Sequence, residues 1–136
     1  TWSHADLTRL SSDDCVAEIE KTNAEIKRVL GHGAALVRPP FGFYNSTVRG
    51  LVPYPLVLWS LDTQDWRKQD PARIAQAVAN EVQEGCVILM HDQQTSTAAA
   101  MEEIIPTLIQ EGFRFVTVSE LIEAKNVKTS AVKLPP

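Results

Sequence analysis

Charged side chains suited to acid–base chemistry follow apolar runs at three places in this sequence. Arg38 directly follows the first run, Asp62 and Asp65 lie just beyond the second, and His91 ends the third. An imidazole can transfer protons near neutral pH, while a planar guanidinium can bind a carboxylate through two hydrogen bonds. Charge after each of three apolar runs is hard to explain by structure alone, so the pattern predicts one polar site.

The apolar runs predict buried strands, and helical patterns lie between them. The predicted strands cover residues 34–37, 56–59, 86–90 and 113–118. The predicted helices begin at a cap on Ser12, around Thr47, at Pro71 with Asp70 as its cap, after Thr97, and at a cap on Ser119. Uniformly apolar strands separated by helices favour a parallel sheet, either open and doubly wound or part of a barrel. Ligands bind at the carboxyl ends of the strands in both architectures, so the charged residues should share one rim.

The composition is that of an ordinary globular domain and excludes several functions. The chain has 136 residues, of which 44% are hydrophobic and 22% charged, with a net charge of −4. This length can bury a substantial core. The absence of a basic cluster argues against a nucleic-acid partner, and no apolar run is long enough to span a membrane. No glycine-rich phosphate-binding motif follows a predicted strand, which argues against nucleotide binding.

Four short motifs carry a family resemblance. They are Arg-Pro-Pro-Phe-Gly at 38–42, Asp-Thr-Gln-Asp-Trp at 62–66, Leu-Met-His-Asp at 89–92, and the opening Thr-Trp-Ser-His at 1–4. In that order they resemble the RPPYG, DxxDW, LxHD and H-[ST]-x-x-H motifs of the polysaccharide deacetylases, carbohydrate esterase family 4, which contain a NodB homology domain. Phe replaces the usual Tyr in the first, and the first His of the last would lie one residue before Thr1.

The resemblance implies an α/β fold, with repeated β-α units and a parallel sheet that is part of a distorted (β/α) barrel of the NodB type. Residues 1–124 would then be the C-terminal part of a deacetylase domain, and residues 125–136 a loosely ordered tail. The upstream part of the same domain, with the TFDDG motif that carries a catalytic-base aspartate and a metal-binding aspartate, would be its partner.

The activity implied by the resemblance is metal-dependent removal of acetyl groups from polysaccharides. The substrate would be an N-acetylglucosamine polymer such as peptidoglycan or chitin, with hydrolysis of an amide, or acetylated xylan, with hydrolysis of an ester. The family acts on cell walls and other carbohydrates, which implies an extracellular or cell-surface location. Its metal is usually Zn²⁺, with Co²⁺ as an alternative, and His4 would be a ligand. One histidine cannot hold zinc in a closed site, so this fragment alone is expected to be inactive.

The resemblance also assigns catalytic roles. His91 would be the general acid, Asp65 would hold its ring and favour the protonated form, and Arg38 would orient the upstream catalytic base. Other interpretations are a buried His91 satisfied by a hydrogen bond, a helix-capping Asp65, and a surface ion pair for Arg38. Asp62 could equally form a turn, and His4 could be a solvated residue.

Three residues would contact the substrate. The backbone amide of Phe41 would donate to the oxyanion, while Trp66 and Leu89 would line a slot for the acetyl methyl group. Core packing is the alternative for Trp66 and Leu89. The alternatives for the whole chain are a non-catalytic carbohydrate-binding fragment, or an inactive half that lacks the metal site. An unrelated metallohydrolase or a Rossmann-type domain is a further alternative.

Overall fold

The computed structural model describes residues 1–67 and 69–128. Their regular structure consists of five α-helices, two short 3-10 helices (Leu7–Arg9 and Pro40–Gly42) and one pair of short parallel strands. The helices are α1 (Ser12–Leu30), α2 (Ser46–Leu51), α3 (Pro71–Glu81), α4 (Thr95–Gln110) and α5 (Val118–Lys128), and the strands are β1 (Leu61–Asp62) and β2 (Ile88–Leu89). The described residues divide into two compact units, the first over Thr1–Leu58 and the second over residues 59–128.

Helix α1 dominates the first unit and begins at a side-chain cap. The Ser11 hydroxyl accepts a hydrogen bond from the Asp14 backbone amide at 3.2 Å, and two acidic residues in the first turn favour the positive end of the helix. The predicted cap on Ser12 is therefore wrong by one residue. Gly31, in a left-handed conformation with φ 79°, ends the helix as predicted.

Buried apolar side chains hold α1 against α2 in the first unit. The core of this unit consists of Leu7, Cys15, Ile19, Val48 and Val52. Beside it the chain makes one isolated parallel bridge, in which the Val57 amide donates to the Val37 carbonyl at 2.9 Å. The predicted strands 34–37 and 56–59 are reduced to this single bridge.

The second unit is built around the packing of α3 on α4. Asp70 caps α3 by accepting from the Ala72 amide at 3.1 Å, and Pro71 occupies its first turn, both as predicted. The core of this unit consists of Ile74, Ala75, Val78, Ala100, Ile104 and Leu108. Pro106 lies inside α4, which nevertheless continues as one helix to Gln110.

The parallel pairing of the strands is confirmed, but their predicted positions need correction. Leu61 pairs with Ile88 and Asp62 with Leu89, so β1 lies just beyond the predicted strand 56–59 and β2 is shorter than the predicted run 86–90. Residues 113–117 form no strand. A strand requires a hydrogen-bonding neighbour, and an apolar run cannot supply one by itself.

Helix α5 extends into the range that was predicted to be a loose tail. It runs to Lys128, whereas the tail was expected from residue 125, and the remaining positions 129–136 lie outside the described residues. Its cap is Thr117 rather than the predicted Ser119. The Glu120 amide donates to the Thr117 hydroxyl at 3.2 Å, and the Glu120 carboxylate accepts from the Thr117 amide at 2.7 Å, which is a capping box. None of the described helices is long and apolar enough to cross a bilayer.

Candidate functional site

The second unit brings Asp65 and His91 into direct contact. The His91 ring Nδ1 lies 2.8 Å from Asp65 Oδ1, and the His91 backbone amide donates to Asp65 Oδ2 at 2.6 Å. The two residues follow the carboxyl ends of β1 and β2, which run parallel and are paired. The sequence-based expectation that these strand ends deliver polar groups to one edge is confirmed for this pair.

Asp65 is a fully buried carboxylate that accepts hydrogen bonds from four donors. Its exposed fraction is 0%, and besides the two donors of His91 it accepts from the Thr97 hydroxyl at 2.7 Å and from the Trp66 amide at 2.9 Å. Burial raises the pKa of the Asp65 carboxyl, but the hydrogen bonds from Thr97 and His91 outweigh it and hold that pKa below its ordinary value. Asp65 is therefore ionised at neutral pH.

An ionised Asp65 determines which nitrogen of His91 carries a hydrogen. A carboxylate can only accept, so Nδ1 must be the donor in the contact with Asp65 Oδ1. The His91 side chain remains 37% exposed, and in the described part of the chain no group forms a hydrogen bond with its Nε2. The ring is thus held at one nitrogen while the other is available to an external group.

Thr97 is a site residue that the sequence-based reasoning missed. It is 4% exposed, lies in the first turn of α4, and donates directly to Asp65. Its sequence signal is weak, because a threonine near the start of a helix is common and is usually explained by the helix itself.

Replacing Thr97 by valine should weaken this buried network. Thr97→Val keeps the side-chain shape but removes one hydrogen bond to a charged group, which should lower the free energy of unfolding by about 1.5–3 kcal/mol. The pKa of Asp65 should rise, because burial is then opposed by fewer donors. Urea unfolding and NMR titration of the Asp65 carboxyl carbon would measure both effects. Thr97→Ser is the matched control, and equal losses in the two variants would rule out the hydroxyl as the cause.

The other predicted residues of the second unit have different environments. Asp62 is exposed and accepts from the Gln64 amide at 2.8 Å, so it forms the turn that was its alternative role. The indole of Trp66 is 53% exposed and free to contact a ligand, which excludes the core-packing alternative within the described residues. Leu89 is only 6% exposed, in keeping with its core-packing alternative, and its contact with substrate stays a prediction.

The first unit places His4 against Phe41. Their ring centroids are 4.9 Å apart with an edge-to-face angle of 70°. No acceptor within the described residues takes the backbone amide hydrogen of Phe41, so this donor is free for an external oxygen. Arg38 is exposed and forms no ion pair with a described residue. The convergence of Arg38 with Asp65 and His91 stays a prediction.

Unusual backbone geometry coincides with three of the four motifs. The described non-glycine residues with positive φ are His4 at 60°, Phe41 at 59° and Gln64 at 54°. A left-handed conformation costs about 1–2 kcal/mol for a residue with a Cβ atom, and such strain is concentrated at functional sites. The backbone therefore gives support for these motifs that is independent of side-chain chemistry.

The residues present do not form a metal site. In the described ranges, no three His, Cys, Asp or Glu side chains lie close enough together to hold a metal ion. A zinc site in a protein uses three or four side-chain ligands, and His4 belongs to no such group among the described residues. Ligation of a metal by His4 stays a prediction.

This arrangement of parallel strands, helices and a buried Asp–His pair is a NodB-type fold of the carbohydrate esterases. The structure of the peptidoglycan deacetylase PdaC from Bacillus subtilis superposes with a TM-score of 0.91 and 37% identity, over 94% of this chain and 63% of that one. Residues 1–53 match the protein family described as polysaccharide deacetylase. The chain belongs to the polysaccharide deacetylase family, carbohydrate esterase family 4.

Curated relatives extend over almost the whole chain but are much longer. The peptidoglycan-N-acetylmuramic acid deacetylase PdaC of Bacillus subtilis is 38% identical over 92% of this chain and 27% of its own length. The peptidoglycan-N-acetylglucosamine deacetylase PgdA of Listeria monocytogenes is 31% identical over the same shares. A bifunctional xylanase/deacetylase of Pseudobutyrivibrio xylanivorans is 32% identical over 93% of this chain and 21% of its own length. The chain therefore spans about a quarter of the length of these three relatives.

Proposed function

We propose that this chain provides the general-acid half of a polysaccharide deacetylase. The observation that carries the proposal is the contact between a buried, ionised Asp65 and the exposed ring of His91. The reaction is hydrolysis of an acetyl group: water adds to the carbonyl carbon, the bond to the sugar nitrogen or oxygen breaks, and acetate leaves.

His91 supplies the proton that the leaving group needs. As the bond to the acetyl carbon breaks, the electron pair stays on the sugar nitrogen or oxygen, which takes the hydrogen from Nε2. Asp65 keeps the Nδ1 hydrogen in place and stabilises the positive charge of the ring before transfer. Because Nδ1 is occupied by Asp65, only Nε2 can face the substrate.

Arg38 and Phe41 support the other half of the reaction. The free amide of Phe41 would donate to the oxygen that becomes negatively charged when water adds. The exposed guanidinium of Arg38 would bind the carboxylate of the base that takes the proton from water, an aspartate outside these 136 residues. The exposed Trp66, together with Leu89, would line a slot for the acetyl methyl group.

A divalent metal is part of the proposal for the complete enzyme. His4 is the proposed ligand in this chain, with Zn²⁺ favoured over Co²⁺, and the remaining ligands would have to come from elsewhere. Such an ion would supply a Lewis acid for the acetyl carbonyl and for the attacking water.

The proposed substrate is an N-acetylated cell-wall glycan, which places the enzyme outside the cell or at its surface. PdaC and PgdA, whose names specify peptidoglycan, support this choice. Acetylated xylan is the second candidate, supported by the xylanase/deacetylase relative.

The decisive experiment compares acetate release from two oligosaccharides. The full-length protein should release acetate from an N-acetylglucosamine tetramer, with one free amine appearing for each acetate, and more slowly from acetylated xylotetraose. Enzymatic acetate assay and mass spectrometry measure both products. Binding of either oligosaccharide without acetate release would instead support the non-catalytic carbohydrate-binding alternative.

A further inference from the structure

Two exposed phenylalanine rings lie side by side in the first unit. Phe41 is 57% exposed and Phe43 is 54% exposed, with ring centroids 6.0 Å apart and planes tilted by 43°. The edge-to-face contact of Phe41 with His4 continues the row, so three aromatic rings are adjacent. Phe43 lies outside the four motifs, and nothing in the proposed mechanism uses it.

A tight backbone turn carries these two rings. The Gly42 amide donates to the Pro39 carbonyl and the Phe43 amide to the Pro40 carbonyl, each at 3.1 Å. Phe41 has φ 59° and ψ 3°, values that glycine usually provides at the third position of a turn. Pro39 and Pro40 are buried and restrict the chain that leads into this turn. The backbone that carries both rings is thus constrained before any ligand binds, at a cost in backbone strain.

Adjacent exposed aromatic rings suit the flat apolar face of a sugar. The face of an aromatic ring carries partial negative charge, and the C–H groups on one side of a pyranose ring present partial positive charge to it. We propose that Phe43, together with Phe41, stacks on a sugar ring of the polysaccharide adjacent to the one that loses its acetyl group. This inference rests on the proposed function, and its occupant is a hexopyranose of the same glycan chain.

Substitution of Phe43 in the full-length protein tests the proposal with three substrates. Phe43→Ala should raise KM for the N-acetylglucosamine tetramer about fivefold to tenfold, the effect of losing one aromatic contact, with little change in kcat. The rate with p-nitrophenyl acetate, which has no sugar, and KM for the N-acetylglucosamine monomer should stay unchanged. Phe43→Trp should retain tight binding, and thermal unfolding would confirm that each variant is folded.

Different outcomes separate this inference from the proposed function. An active enzyme whose KM for the tetramer is unchanged in Phe43→Ala would overturn the stacking site and leave the proposed function standing. If no acetate is released from any substrate, the proposed function fails. Calorimetric measurement of tetramer binding then tests the stacking site by itself. Binding weakened by Phe43→Ala would support a sugar site, whereas binding unaffected by it would overturn one. Phe115→Ala removes another exposed ring, 49% accessible, and should not alter KM.

Discussion

His91→Ala in the full-length protein should lower kcat for deacetylation by about 10²–10⁴-fold, the contribution of a positioned proton donor. The ring is held by one nitrogen and offers the other, so its removal deletes the donor while leaving most of the surroundings intact. The loss should be smaller for an acetyl ester with a phenol leaving group, which departs without a proton. Steady-state kinetics with the N-acetylglucosamine tetramer and with p-nitrophenyl acetate would measure the difference.

His32→Ala is the matched control for this substitution. His32 is exposed, and its ring Nδ1 lies 3.1 Å from the carbonyl oxygen of the neighbouring Gly33. Its replacement should leave both rates unchanged. If His91→Ala lowered the rates with both substrates by the same factor, or lowered neither rate, the ring would have no role as proton donor to the leaving group. Circular dichroism would exclude a general loss of structure.

The contact between Asp65 and His91 could be predicted because two independent features of the sequence, its motifs and its apolar runs, agree. The motifs gave the residue types, and the apolar runs indicated parallel strands whose carboxyl ends meet at one edge. The pairing of Leu61 with Ile88 bears out that second inference. Thr97 could not be found in this way, because its contact joins positions 32 residues apart and depends on where α4 begins.

Strand positions were the weakest part of the prediction, for a physical reason. Hydrophobic runs report burial, whereas a strand also needs a partner at the right register. Three of residues 113–117 are apolar, but the segment has no paired neighbour among the described residues, and Phe115 is 49% exposed. Helices need no distant partner for their backbone. The predicted starts of α1 and α3 accordingly lie within one residue of the observed ones, and the predicted start of α4, after Thr97, lies three residues beyond the observed one.

Asp65→Asn should cost both activity and stability, since an amide cannot satisfy the four donors that surround this side chain. Oδ1 accepts from the His91 ring and the Trp66 amide, and Oδ2 from the Thr97 hydroxyl and the His91 amide. Either orientation of asparagine turns its NH₂ group towards one backbone N–H, which cannot reverse its direction. We expect a loss of about 1–3 kcal/mol in unfolding free energy, for a buried donor left unpaired. Turnover should fall about 10²-fold or more, because the ring of His91 is no longer held.

The dependence of this stability loss on pH follows from the direction of the pKa shift. The pKa of Asp65 is lowered in the folded protein, so its ionised form stabilises the fold fully above the unfolded value of 3.8. That contribution disappears as the pH falls through the lower, folded pKa. Urea unfolding should therefore show a smaller difference in unfolding free energy between wild type and Asp65→Asn at pH 3 than at pH 7.

Asp62→Asn is the matched control, because the hydrogen bond from the Gln64 amide can be accepted by either side chain. This substitution should change the free energy of unfolding by less than about 0.5 kcal/mol. A difference for Asp65→Asn that is equal at both pH values would mean that the negative charge of this carboxylate does not stabilise the fold.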